Sequence, residues 1–267
     1  MSTLFIICFF AGGIGAMLQE MLGIGTGIVV VPLLTYLLPM YGIEKDLAIH
    51  IAIATSMTSI ATNSISALIS HYYRGNVKWQ IFQKIIFFSV LGSCLGAITA
   101  SFISGRVLQC IFGGFLLLTS IYMLIKKEHA DITDNTPMPS LRKTATGGFT
   151  IGLIASIVGS GGGILMVPFL TSLKLKMRYA IGTSILIGFP VSIMGACTYI
   201  FIGLTKIPST PSTIGYLHWP AFLAITSAGI MFAPIGVKLS SVIPTKVLQI
   251  FFAGLMILIG GKMLMHV

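Results

Sequence analysis

The sequence predicts an all-α polytopic membrane protein made of two homologous repeats, and three observations carry that expectation. Of 267 residues, 55% are hydrophobic and 8% charged, whereas a soluble domain carries about 25% charged residues. Apolar runs recur along the whole chain, such as 80–103 and 107–125, each close to the roughly 20 residues that cross a ~30 Å hydrocarbon core. The chain also repeats itself. GIGTGIVVVPLLT (23–35) matches GSGGGILMVPFLT (159–171) at eight of 13 positions, and AIATS (52–56) matches AIGTS (180–184). Trp79 then aligns with Trp219, and 107–124 matches 247–264 at eight of 18 positions. The offset runs 136, then 128, then 140, so length changes fall between segments, where loops tolerate them.

Taken in order, the apolar blocks are 3–38, 48–70, 80–103 and 107–125, then 147–171, 180–202, 219–243 and 247–265. That makes about four helical segments per repeat. Block 3–38 is too long for one straight span and short for two, at 1.5 Å of rise per residue. Gln19, Glu20, Gly23, Gly25, Gly27 and Pro32 interrupt it. Its break is expected between Gln19 and Gly27, leaving either one broken helix or a hairpin of two short helices, and 147–171 is expected to do the same. Between the repeats, 126–143 holds half of the acidic residues and two prolines. The expected division is therefore an N-terminal repeat 1–125, a cytoplasmic linker 126–143 and a C-terminal repeat 144–267.

Charge sets the orientation. The chain has 16 Lys+Arg against 6 Asp+Glu, and most of the basic residues sit in the loops between apolar blocks, as the positive-inside rule requires. If every block crosses once, the two sides hold 9 and 7 basic residues. If the first block of each repeat returns to its own side, Lys45, Arg106, Lys206 and Lys262 share one side and the other 12 share the opposite one. The second arrangement has the bias of a membrane protein. It inverts the repeats relative to each other and places both termini outside the cell membrane.

The same pattern argues against nucleic-acid binding. MSTLFIICFFAGG has no positive region ahead of its apolar run, so it reads as part of the fold rather than a signal peptide. Cys8, Cys94, Cys110 and Cys197 stand singly in apolar runs, which points to small buried hydrophobes, not to a metal or redox centre. No cofactor is expected, and no nucleophile, paired-carboxylate or phosphate-loop motif suggests an enzyme. The expected partners are the lipid bilayer, a small anionic substrate and, compatibly, further copies of the chain.

Repeats with interrupted helices in matching positions point to a transporter with its site near the midplane. Gly25-Thr26-Gly27 and Gly161-Gly162-Gly163 each open a short apolar helix that carries Pro32 or Pro168. A helix start offers unpaired N–H groups and a partial positive charge, which attract an anion. The alternative is that these glycines only allow close packing. Block 48–70 carries Thr55, Ser59, Thr62 and Ser66 at helical spacing, with Ser56 and Asn63 adjacent, and its partner block offers Thr183, Ser184, Ser192 and Thr198, with Pro190 as a kink. In lipid such groups face protein or water, as oxyanion ligands or as interhelical hydrogen bonds. The expected substrate-binding residues are Gly25, Thr26, Gly27, Thr55, Ser56, Asn63, Gly161, Gly162, Gly163, Thr183 and Ser184. Glu20 is the one acidic residue inside an apolar block. Held out of water, it could exchange protons and couple transport to a proton gradient; in a hairpin turn it would instead be solvated. His50 and His71 at the ends of one block, and Trp79 and Trp219 at the starts of equivalent ones, read as interfacial anchors.

The two glycine-rich segments, each followed by an A-I-x-T-S segment, resemble the sulfite exporter TauE/SafE family, also called the toluene-sulfonate uptake permeases. The resemblance covers nearly the whole chain. Its motif residues fall on Gly23, Gly25, Gly27, Pro32, Thr55 and Ser56, then Gly159, Gly161, Gly163, Pro168, Thr183 and Ser184. Thr26 departs from the usual glycine run, and Gln19-Glu20 has no match in the pattern. The resemblance implies secondary transport of sulfur-containing anions such as sulfite, organosulfonates or small carboxylated sulfonates. An uncoupled anion channel and a membrane-embedded enzyme are the competing readings, and the second lacks any acid/base or metal cluster.

Overall fold

Two helix breaks position everything else. The computed structural model describes residues 2–23, 25–125, 140–207, 211–242 and 245–265; residues 1 and 267, expected outside, and 135, expected inside, are not among them. Helix α1 (Ser2–Leu22) ends where Gly23 turns to φ 69° and its N–H bonds Gln19 O at 2.8 Å. Helix α6 (Leu141–Val158) ends the same way at Gly159, φ 70°, with its N–H on Ala155 O. A left-handed residue just past a helix satisfies carbonyls of the last turn, and glycine alone does so without a Cβ clash.

After each break the chain runs back beside the helix it has left. A Cβ on Gly15 would lie 3.2 Å from Thr26 Cβ, although 11 residues of straight helix span about 16 Å. Gly147 likewise lies against the Phe169 ring. The returning segments are α2 (Gly27–Leu37) and α7 (Gly163–Ser172). Both blocks are therefore helical hairpins. Helix α1, at 21 residues, is a full-length helix, not the short one expected. Gln19 and Glu20 lie inside it and do not interrupt it. Leu141–Lys143, assigned to the linker by composition, form the first turn of α6.

A 3-10 turn, Leu38–Tyr41, leads to α3 (Lys45–Tyr73), α4 (Trp79–Ala100) and α5 (Gly105–Ile125). Beyond α7 come α8 (Met177–Lys206), α9 (Trp219–Val242) and α10 (Thr245–Met265). A small antiparallel hairpin, β1 (Thr213–Ile214) with β2 (Leu217–His218), precedes α9; the sequence reading contained no strand. Among the described residues six helices are long and apolar enough to cross a membrane. Their outer faces expose Phe87, Leu118 and Phe201, as surfaces that meet lipid do.

The packing comes in pairs. Helix α1 lies on α9 while α6 lies on α4; α3 meets α8, and α5 meets α10. Gly12 abuts Ile225 and Gly148 abuts Ile85; Gly236 abuts Met17 and Gly96 abuts Leu153. With the offsets of 136 and 140 read from the sequence, each contact is the counterpart of the other. The buried apolar residues form one cluster around Leu34, Ile49, Ile53 and Met57 and a second around Ile85, Ile151, Met166 and Ile187.

Helices α3 and α8 run in opposite directions. At one end of the bundle Asp46 Oδ1 accepts the Gly105 N–H at 2.7 Å, and Lys206 Nζ donates to Ser101 O at 2.6 Å. At the other end Gly182 lies against Asn76, and the Lys78 N–H donates to Thr183 Oγ1 at 3.1 Å. His50, expected as an interfacial anchor, is buried with its ring nitrogens 3.1 Å from Asp46 O, Ala100 O and Ile103 O.

Candidate functional site

The two glycine turns meet each other midway along α3 and α8. A Cβ on Gly27 would overlap Gly159 O, and one on Gly163 would overlap Gly23 O. Shifted by 136, these are the same contact made twice. Gly25 abuts Ser160 O in the same way. The packing alternative for these glycines is thus realised at Gly25, Gly27 and Gly163, whose backbones touch the opposite turn. No side chain fits between them.

Helix α3 supplies one wall. Ser56 Oγ donates to Gly159 O at 2.9 Å, which ties α3 to the opposite turn. One turn on, Ile60 reaches both turns, lying 3.2 Å from the Cβ position of Gly25 and 2.7 Å from that of Gly161. Asn63 is buried against Gly229 of α9, and neither its Oδ1 nor its Nδ2 has a partner among the described residues. Helix α8 supplies the other wall. Ser184 Oγ lies 3.5 Å from the Cβ position of Gly23 and donates to Ile181 O at 2.8 Å. Ser192 Oγ lies 2.9 Å from the Cβ position of Gly161 and has no partner among the described residues. Thr26 Oγ1, at the start of α2, is also buried and unpartnered there.

Thr55 and Thr183 face elsewhere. Thr55 Oγ1 accepts the His218 N–H at 3.1 Å, and Thr183 Oγ1 accepts the Lys78 N–H at 3.1 Å. Each threonine, on the long helix of one half, holds the residue just before α9 or α4 of the other half. His218 itself accepts the Ala221 N–H on Nδ1 at 3.2 Å. Burial pushes its imidazole down to about 4, so it is neutral near pH 7 and can accept. Thr183→Val should leave the Lys78 N–H unpaired and lower stability by about 1–3 kcal/mol. Thr205→Val, at an exposed hydroxyl that bonds only its own helix, should be close to neutral. Equal melting points for the two purified variants would rule the latch out.

Glu20 is not in a solvated turn. It sits in the last turn of α1, 5% exposed, beside Gly236, with Oε2 unpartnered among the described residues. Gln19 next to it is buried and donates to Ser64 Oγ at 3.2 Å. At the counterpart of Glu20, Ser156 bonds Ser93 Oγ at 2.6 Å, and Ser93 donates to Val191 O at 2.7 Å. The sequence reading missed Ile60 and left Ser192 out of its site. The contact of Ile60 with both turns follows from its position one turn past Ser56, a cue visible only once the turns are known to meet.

The sulfite exporter TauE/SafE family model matches residues 8–263. A "probable membrane transporter protein" of Haemophilus influenzae is 31% identical over 98% of this chain and 99% of its own. A protein of the same description from Methanocaldococcus jannaschii is 29% identical over 97% of this chain and 95% of its own, and one from Bacillus subtilis is 28% identical over 75% and 79%. No solved structure matches the chain. With helices able to cross a bilayer and a match over nearly its whole length, the chain is an integral membrane transporter, not an enzyme, and belongs to the sulfite exporter TauE/SafE family.

Proposed function

We propose that the protein is a secondary transporter of small sulfur-containing anions, sulfite or an organosulfonate, that works by alternating access about the point where its two glycine turns cross. The reciprocal contact of Gly27 with Gly159 and of Gly163 with Gly23 carries this reading. It is the contact expected of two repeats related by a twofold axis through the middle of the membrane. The opposite directions of α3 and α8 support inversion of the repeats. Lys45, Arg106 and Lys206 lie at or beside the residues of the end that holds Asp46 and Ser101, and Lys78 at the other; the loop-charge split assigns Lys262 to the first end and the other basic residues to the second. The basic end faces the cytoplasm by the positive-inside rule. Both termini then face outward, and Glu20 carries the coupling proton.

Two measurements on proteoliposomes test the reading. Labelled sulfite should accumulate against its own gradient when a pH gradient is imposed, whereas a channel would only dissipate the sulfite gradient. Single cysteines at positions 45 and 174 should label from opposite sides, 45 from outside. Labelling of both from one side would sink the inverted arrangement.

A further inference from the structure

The two breaks are equivalent in position but not in content, and the difference points to where the anion sits. Around the α7 break a narrow crevice, too tight here to admit a water, is lined by Gly152, Gly161, Gly162, Gly188, Ile151 and Met166. Gly162 is the one glycine of its turn with room beside it: a Cβ there would meet Ala155 Cβ no closer than 3.6 Å. Ser192, one helical turn beyond Gly188, is fully buried, and its unpartnered hydroxyl lies against Gly161. Ser89 of α4 is also fully buried and unpartnered, and its carbonyl abuts Gly152. No acidic residue lines this crevice.

At the α2 break the counterparts are larger or already engaged. Ile60 stands where α8 has Gly188, Thr26 where the α7 turn has Gly162, and Gln19 where α6 has Ala155. Ser64, the counterpart of Ser192, accepts from Gln19. Gly229, the counterpart of Ser89, is covered by Asn63. The small residues that line the α7 break are replaced by larger side chains at α2.

We infer that the chain holds one oxyanion, in a single pocket on the α7 side that widens to admit it, received by the Gly161–Gly163 N–H groups and the Ser192 hydroxyl. This rests on the anion-transport reading and narrows it. Helix α7 begins there, so its first N–H groups have no partner within the helix and favour negative charge. A hydroxyl with no partner in a dry site donates to an oxyanion at no cost to another bond. Glu20 lies in the first half at the counterpart of Ser156, outside this pocket, so anion and proton are held at separate positions.

The test is calorimetric titration of the purified full-length protein with sulfite, sulfate, phosphate and nitrate. Wild type should bind one sulfite per chain. Ser192→Ala should weaken sulfite roughly 10–100-fold, the effect of one hydrogen bond to a charged group, and Ser64→Ala should leave affinity within about twofold. Gly188→Ile, copying the first half, should abolish binding; a folding failure of that variant leaves the serine pair to decide. Two anions per chain, equal effects at Ser64 and Ser192, or no effect at Ser192 would each overturn the pocket. Binding of phosphate or nitrate but of no sulfur anion, still sensitive to Ser192, would keep the pocket and remove the sulfur reading. Binding of no oxyanion would overturn the pocket itself.

Discussion

Gly163→Val is expected to yield no monodisperse protein. Its new Cβ would occupy the position of Gly23 O, and both partners are backbone, so no rotamer change relieves the overlap. Overpacking a core costs about 1–3 kcal/mol when side chains can adjust; here α7 must move away from the α1–α2 turn, which loosens the Gly27–Gly159 contact as well. Gly162→Ala has space and carries chiefly the cost of a left-handed residue at φ 85°, about 1–2 kcal/mol. A β-branched residue at that φ is strained regardless of space, so alanine, not valine, is the useful probe at position 162. Gly114→Val, where nothing lies within 4 Å, should be close to wild type. Size-exclusion profiles and melting points of the three variants check the ranking. A Gly163→Val protein as stable as Gly114→Val would mean that the turns do not touch.

Glu20→Gln should separate binding from coupling. Glutamine keeps the shape of the side chain and its place beside Gly236 but removes the titrating group. The variant should bind sulfite and exchange it between compartments as wild type does, and its uptake rate with an imposed pH gradient should fall to the rate without one. The measurement is initial uptake in proteoliposomes at equal and at unequal pH. A variant still accelerated by the gradient would show that the coupling proton travels elsewhere, with the anion pocket unaffected.

The helices and the two breaks were legible because each depends on local chemistry: apolar length, and a glycine at a left-handed turn. Partners far along the chain were not. Thr55 and Thr183 read as polar residues on a stripe, and nothing local says that their acceptors serve His218 and Lys78. Gln19 and Glu20 looked like an interruption of α1, but a membrane helix can carry polar side chains where neighbouring helices cover or bond them, as α3 does for Gln19 through Ser64. Leu141–Lys143 were assigned to the linker by their charge, although a first helical turn at the interface carries basic residues readily. Strands of two residues each are too short to show alternation. Ser89 is one of four hydroxyl residues in block 80–103, and nothing local shows that Gly152 of another helix lies against it.

The crossing of the two turns also bears on how the sequence can change. On the twofold reading it is an isologous contact, the kind by which a C2 homodimer meets itself, drawn into one chain. Each glycine is required not by its own repeat but by a carbonyl of the other: Gly27 answers to Gly159, and Gly163 to Gly23. A substitution at one turn therefore cannot be relieved within its own half, and the halves are held to a common backbone even where their side chains differ. The side chains around that backbone, Ile60 in one half where the other has Gly188 and Glu20 where the other has Ser156, are where a duplicated dimer could become asymmetric without losing its seam.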